Sequence, residues 1–367
     1  MTHIDDTLTY GADHASPPGH LILEYMEEHD LSARELARRC GRSGKLMSEI
    51  TSGKAPVEPE TALQLERVLG VHASIWTNME AAYQLQLARQ NDMQALEAQY
   101  GWATKFPLKD LIERKYVTKS APKSQQVQEL LKFFGAGTPK ACDERMGELL
   151  MVDYLTTPAF ENDTHALAAW LRIGEMKANA APAADYNKDM FLQMLRKVRS
   201  LTLTPINEAL PEIVNLCAAG GVVFVLEKPF SKVRASGISR WLSPRKALIQ
   251  QSFRHKSDDH FWFTFFHECA HILLHSRKEV FIDMPKGPGS ADPKQEAEAN
   301  LWSAEFLIPN SSFRRFISTF GHTEAEVRAF AEECGVAPGI VVGQLQHNQI
   351  IGFNVLNHLK MRYEWTA

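Results

Sequence analysis

At 367 residues, with 44% hydrophobic and 23% charged residues, the chain has a soluble globular composition and is too long for one typical core, so two or three domains are expected. A formal net charge of −4 and a pI near 6.4 exclude bulk electrostatic attraction to nucleic acid and leave a local basic face as the route to it. Cys40, Cys142, Cys217, Cys269 and Cys334 are scattered and never paired as C-x-x-C, which argues against a disulfide framework or a thiolate zinc knuckle and fits a reducing cytoplasm.

Residues 1–17 are polar and aperiodic and are expected as a flexible tail. They lack a basic region followed by an apolar run, and no stretch of the chain approaches the roughly 18 apolar residues of a membrane span. A cytoplasmic protein without a membrane partner is expected.

From residue 18 to about 89 the pattern is a series of short helices. "LILEYMEEHD" places Leu21, Ile22, Tyr25 and Met26 on one face, and "SARELARRC" follows with Ser32 and Glu35 spaced as a capping box. "SGKLMSEI" and "PETALQLERVL" come next, with Pro59 suited to a first turn and Gly41, Gly53 and Gly70 at helix ends. The run from Ser32 to Lys54 has the layout of a helix-turn-helix. Between Arg34 and Lys54 it carries six basic residues, Arg34, Arg38, Arg39, Arg42, Lys45 and Lys54, against Glu35 and Glu49. In such a motif the second helix enters the major groove while flanking basic residues hold phosphates. Lys45, Ser48 and Thr51 are expected to face DNA, with Arg42, Ser43 and Lys54 beside them and Leu46 and Ile50 tied to the core.

Residues 96–215 read as mostly helical, with breaks at "KSAPKS", "GAGTPK" and "NAAPAADY", and carry no chemical motif. "GGVVFVLE", "GISRWLS" and "KALIQQSF" then have the β-branched, apolar character of strands, so a small sheet is expected before the next helix.

That helix holds "FWFTFFHECAHILLH", Phe261 to His275. His267 and His271 lie one turn apart, so their imidazoles can converge on one ion with Glu268 beside it. Imidazole suits zinc, and three protein ligands leave the open position of a catalytic site. "QEAEANLWSAEFLIP" follows as a second helical pattern opening with Glu296, which is the favoured third ligand. Glu298 is the competitor. Asn300, four positions after Glu296, offers an amide that could brace the ligands from behind. His275 is read as a capping or surface histidine, with ligation as the alternative. A metzincin site is excluded, because Leu274 and Arg277 stand where its glycine and third histidine belong.

"FFHECAHILLH" followed by "EAEANLWSAEFLIP" resembles the ImmA/IrrE family of zinc metallopeptidases. The resemblance implies Zn2+ held by His267, His271 and Glu296 with Glu268 as general base, and peptide hydrolysis as the chemistry. Cys269 and Ala270 fill variable positions of the motif, and Ser303 and Ala304 stand where Phe-Ala is common. His260 and Tyr363 are the two residues considered for stabilising the oxyanion.

Residues 18–90 resemble the HigA-type, Cro/repressor-like domain of antitoxins and regulators. That implies a five-helix fold, a homodimer on palindromic double-stranded operator DNA, and autoregulation. Gly44 departs from the proline common at the start of the recognition helix.

The expected fold is α+β and mostly α: a tail at 1–17, a five-helix helix-turn-helix domain at 18–95, a helical linker or regulatory region at 96–215, and a zincin-like domain with a small sheet at 216–367. The expected function is a DNA-binding regulator whose zinc endopeptidase cleaves itself or a partner, a repressor or toxin protein. The alternative is a non-catalytic antitoxin or repressor whose peptidase-like domain is a sensor or partner-binding module.

Overall fold

The computed structural model describes residues 15–150, 163–275, 280–283 and 293–365. Most of the expected tail, residues 1–14, lies outside them. Residues 15–17 are described, and Pro17 stands extended as the N-cap of the first helix. No helix among the described residues is long and apolar enough to cross a membrane. All five cysteines are free.

Two compact units form, one from Met1–Tyr100 with Ala121–Val127, the other from Gly101–Ser120 with Gln128–Ala367. Among the described residues, five helices lie wholly within the first: α1 (Pro18–Glu28), α2 (Ala33–Arg39), α3 (Gly44–Thr51), α4 (Pro59–Leu69) and α5 (Ala73–Ala98). Ser32 caps α2 by accepting from the Glu35 amide at 3.2 Å. The expected capping box is only half formed, because the Glu35 carboxylate accepts instead from Arg38 and Arg39 at 2.8–2.9 Å. The core gathers Ile22, Leu36, Met47, Ile50, Leu65 and Trp76, each 0–1% exposed. Leu46, expected in this core with Ile50, is only half-buried, and Met47 takes the inner position one residue later. A Cβ on Gly19 would sit 2.4 Å from the Ile50 carbonyl, so the start of α1 lies directly on the end of α3. That contact fixes the angle of the second helix of the motif.

The chain continues through α6 (Tyr100–Ala103), α7 (Leu108–Glu113), α8 (Lys123–Phe134), α9 (Pro139–Leu150), α10 (Thr164–Ala180), α11 (Lys188–Ser200) and α12 (Ile206–Ala219). Strands β1 (Val222–Leu226), β2 (Gly237–Ser243) and β3 (Lys246–Gln251) then precede α13 (Asp258–Leu274) and β4 (Val280–Asp283). Last come α14 (Pro293–Leu307), α15 (Asn310–Thr319), α16 (Glu324–Cys334) and α17 (Pro338–His347). The sheet has the order β1-β3-β2-β4, with β1 parallel to β3 and the other pairs antiparallel.

Both faces of the sheet are covered, which is why β1 is a continuous apolar run rather than an alternating one. Phe224, Ala247 and Ile249 face α13, in one core with Phe261, Trp262, Phe265 and Phe266. Val223, Val225 and Leu248 face α10 with Ala178. Helices from the stretch expected as a separate central region therefore build the same unit as the sheet. Gln250 donates to the Trp170 carbonyl at 2.8 Å, and Gly174 opens the space for its side chain.

Helix α13 is buried on nearly every side. Its first turn carries Asp258 and Asp259, which suit the positive end of a helix dipole. Lys360 Nζ donates to Asp259 at 2.6 Å, and the Asp258 amide donates to the Met361 carbonyl at 2.9 Å. The basic C-terminal segment thus holds the start of the helix that carries the histidines. Burial and the neighbouring Asp259 push the Asp258 carboxyl up to about 7.

Candidate metal centre and nucleic-acid interface

On α13, His267 and His271 place their Nε2 atoms 2.9 Å apart. Glu296, in the first turn of α14, directs one carboxylate oxygen to each, at 3.4 Å in both cases. All three donor atoms lie within 4.8 Å of one another. A tetrahedral centre with arms of about 2.0–2.1 Å has edges of roughly 3.3 Å, so separations of 2.9–3.4 Å suit one zinc-sized ion.

Electrostatics favour the ligating forms. Burial pulls the Glu296 carboxyl upward, but hydrogen bonds to His267 and His271 outweigh it and hold the group at about 2. Burial lowers His271 to about 4 despite the pull of Glu296 the other way. An ionised carboxylate beside a neutral imidazole is the protonation state that metal binding requires.

Glu298, the competing carboxylate, points elsewhere. It lies 3.3 Å from Nε2 of His275, whose Nδ1 lies 2.9 Å from Nδ1 of His271. His275 is the C-cap of α13, with its backbone amide donating to the His271 carbonyl at 3.1 Å. Its imidazole is 3% exposed, so it caps the helix without being a surface group. Asn300 is exposed, and its backbone carbonyl accepts from the Ser303 hydroxyl at 3.0 Å. The structure therefore puts His275, rather than Asn300, behind the histidine pair.

Glu268 is fully buried and accepts a 2.6 Å hydrogen bond from Ser239 on β2. Two residues earlier on the same face, Gly237 leaves room for the carboxylate: a Cβ there would stand 2.8 Å from Glu268 Oε1. Neither residue was expected at the site. The signal was the pair of small residues at alternate positions of "GISRWLS", which marks a strand face pressed closely by something else. His260 and Tyr363 stand apart from the centre. His260 stacks on His255 at 4.2 Å and precedes His267 by two helical turns, about 10 Å along the axis. Tyr363 is 3% exposed and packs against Phe253 and Phe261.

In the other unit, Ser43 caps α3 by accepting from the Leu46 amide at 3.1 Å, so its hydroxyl is engaged. Arg42 is drawn onto α4, donating to Gln64 at 2.7 Å and to Glu60 at 3.3 Å. Thr51 Oγ1 donates to the Met47 carbonyl at 3.0 Å. Lys45, Ser48 and Lys54 are exposed, with Lys45 only 3.8 Å from Glu49 across one helical turn, a surface pairing of little energetic weight. Glu35 neutralises part of the local basic excess: its hydrogen bonds to Arg38 and then Arg39 hold its carboxyl at about 2.

The model of a peptidase family, the IrrE N-terminal-like domain, matches residues 240–345, from β2 into α17. YddM, an uncharacterized HTH-type transcriptional regulator of Escherichia coli, is 35% identical over 68 residues, 18% of this chain and 72% of its own length. Virulence-associated protein I of Dichelobacter nodosus is 36% identical over 75 residues, 20% of this chain and 69% of its own. A solved addiction module antidote protein of the HigA family from Coxiella burnetii is similar at 24% identity over 23% of this chain and 95% of its own, with a TM-score of 0.22.

Proposed function

The chain belongs to the HTH-type transcriptional regulators and joins that domain to an IrrE-like peptidase domain, and from this premise we propose that it binds operator DNA through α3 and hydrolyses peptide bonds of itself or of a partner regulator at a zinc centre. The observation that carries the second half is the convergence of His267, His271 and Glu296, from two helices, on one point beside a buried carboxylate.

The donor set suits zinc, with two imidazoles and one carboxylate leaving a position open. When bound, zinc supplies a Lewis acid that polarises the peptide carbonyl. Glu268 accepts the proton of the attacking water and later passes it to the leaving amine. Ser239 and the close approach at Gly237 fix the orientation of that carboxylate. His275 and Glu298 orient His271: with Nε2 directed to the metal, His271 Nδ1–H donates to His275 Nδ1, and His275 Nε2–H donates to Glu298.

On DNA, α3 lies in the major groove with Lys45 and Ser48 toward bases or phosphates, and Lys54 at the backbone. Arg42 braces α3 against α4. A homodimer supplies the two half-sites of a palindrome.

Chelator competition tests the metal assignment. Glu296→Ala is expected to weaken zinc binding by more than about 100-fold and Glu298→Ala by about tenfold or less, since the latter acts only through His275. Equal losses, or no loss from Glu296→Ala, would overturn the assignment.

A further inference from the structure

Behind the sheet, on the face away from α13, three arginines from three separate elements meet one acid. Arg145 of α9 reaches Glu175 of α10 at 3.3 Å, Arg172 of α10 reaches it at 2.8 Å, and Arg240 of β2 stands 3.8 Å from it. Arg172 is additionally fixed by donating to the Phe133 carbonyl at 2.7 Å. These four residues carry two positive charges in excess.

Arg240 is the member least explained by folding. Its residue is 7% exposed, and its Nε and Nη2 are buried and hydrogen-bond to none of the described residues. A buried guanidinium at 3.8 Å from a carboxylate already engaged by two other arginines is an expensive arrangement for a purely structural role. Burial and the nearby Arg172 and Arg145 lower its proton affinity, against the opposite pull of Glu175. The side chain of Arg145 is 35% exposed, so the cluster is reached from solvent on that side.

We propose that Arg145, Arg172 and Arg240 form a binding site for a small dianionic ligand, a phosphoryl group or a dicarboxylate. Two negative charges match the excess, and guanidinium forks present paired donors to planar or tetrahedral oxyanions. The position also gives the site a consequence. Arg240 follows Ser239 directly on β2, and the two side chains leave opposite faces of the strand, as their cross-strand partners Leu248 and Ile249 show. A ligand held by Arg240 therefore grips the strand whose other face holds Glu268.

Isothermal titration of the full-length protein with inorganic phosphate and with succinate, each against chloride at matched ionic strength, tests the site. A saturable heat with one probe is expected, and which probe gives it identifies the ligand as phosphoryl or dicarboxylate. Arg240→Met should weaken binding at least tenfold, and Arg145→Gln, at the open side, should weaken it while leaving the fold intact. Without anion, Arg240→Met should melt at or above the temperature of the unmodified protein, since an apolar side chain replaces a buried charge lacking hydrogen bonds at Nε and Nη2. No saturable binding of either probe, binding unchanged in both variants, or a lowered melting temperature for Arg240→Met would overturn the proposal. None of these readouts depends on zinc or on cleavage, so the anion site stands or falls separately from the peptidase reading.

Discussion

Glu268→Gln is expected to retain zinc and to lose peptide hydrolysis by about 10²–10⁴-fold, the range that a positioned general base contributes. The amide is nearly isosteric with the carboxylate and can still pair with Ser239, so the fold and the histidine pair are undisturbed, while the capacity to take a proton from water is gone. The measurement is cleavage of the chain itself and of a candidate partner regulator, followed by intact mass, with zinc content determined on the same sample. Hydrolysis persisting at the unmodified rate would remove Glu268 from the role of base. Transcriptional output unchanged by the substitution would favour the non-catalytic reading, in which the domain senses a signal or binds a partner.

The second large effect concerns DNA. Lys45→Glu combined with Lys54→Glu reverses two exposed charges on and beside α3, and is expected to weaken operator binding by about 100-fold or more at moderate salt. Lys54→Ala alone should weaken binding uniformly across sequences and reduce the salt slope by about one. Fluorescence anisotropy on labelled operator across a salt series gives both numbers. Affinity and slope that match the unmodified protein would place the DNA contact on another surface. Arg42→Ala should act differently, through the set of α3 against α4, because its guanidinium is committed to Gln64 and Glu60.

His267, Glu268 and His271 were legible in the sequence because a helix alone determines their relation: spacing of one and four residues fixes who shares a face. Glu296 was legible as the first acid of the next helix. The residues behind them were not. His275 was read as a capping or surface histidine and does cap α13, but the contact of its imidazole with His271 needs the backbone to leave the helix at that residue, which spacing alone does not give. Asn300 shares a helix face with Glu296 in sequence spacing, yet α14 leaves it exposed. On β2 the alternation of Gly237 and Ser239 with Ile238 and Arg240 was present, but which face met the helix that carries the histidines depended on pairing with β3. The arginine cluster draws on α9, α10 and β2, segments separated by tens of residues, and no local pattern announces it. In the helix-turn-helix unit, the order of helices could be read from caps and glycines, whereas the half-formed capping box at Ser32 could not, because Arg38 and Arg39 compete for Glu35.

The most direct test of the account is the zinc content of the purified, unmodified protein by elemental mass spectrometry. About one zinc per chain, lost in His267→Ala, is the predicted result, and it would establish that the paired imidazoles and Glu296 hold a metal. A well-folded protein that contains no zinc and takes up none when it is supplied would contradict the account, leaving a DNA-binding regulator whose histidines serve only the core.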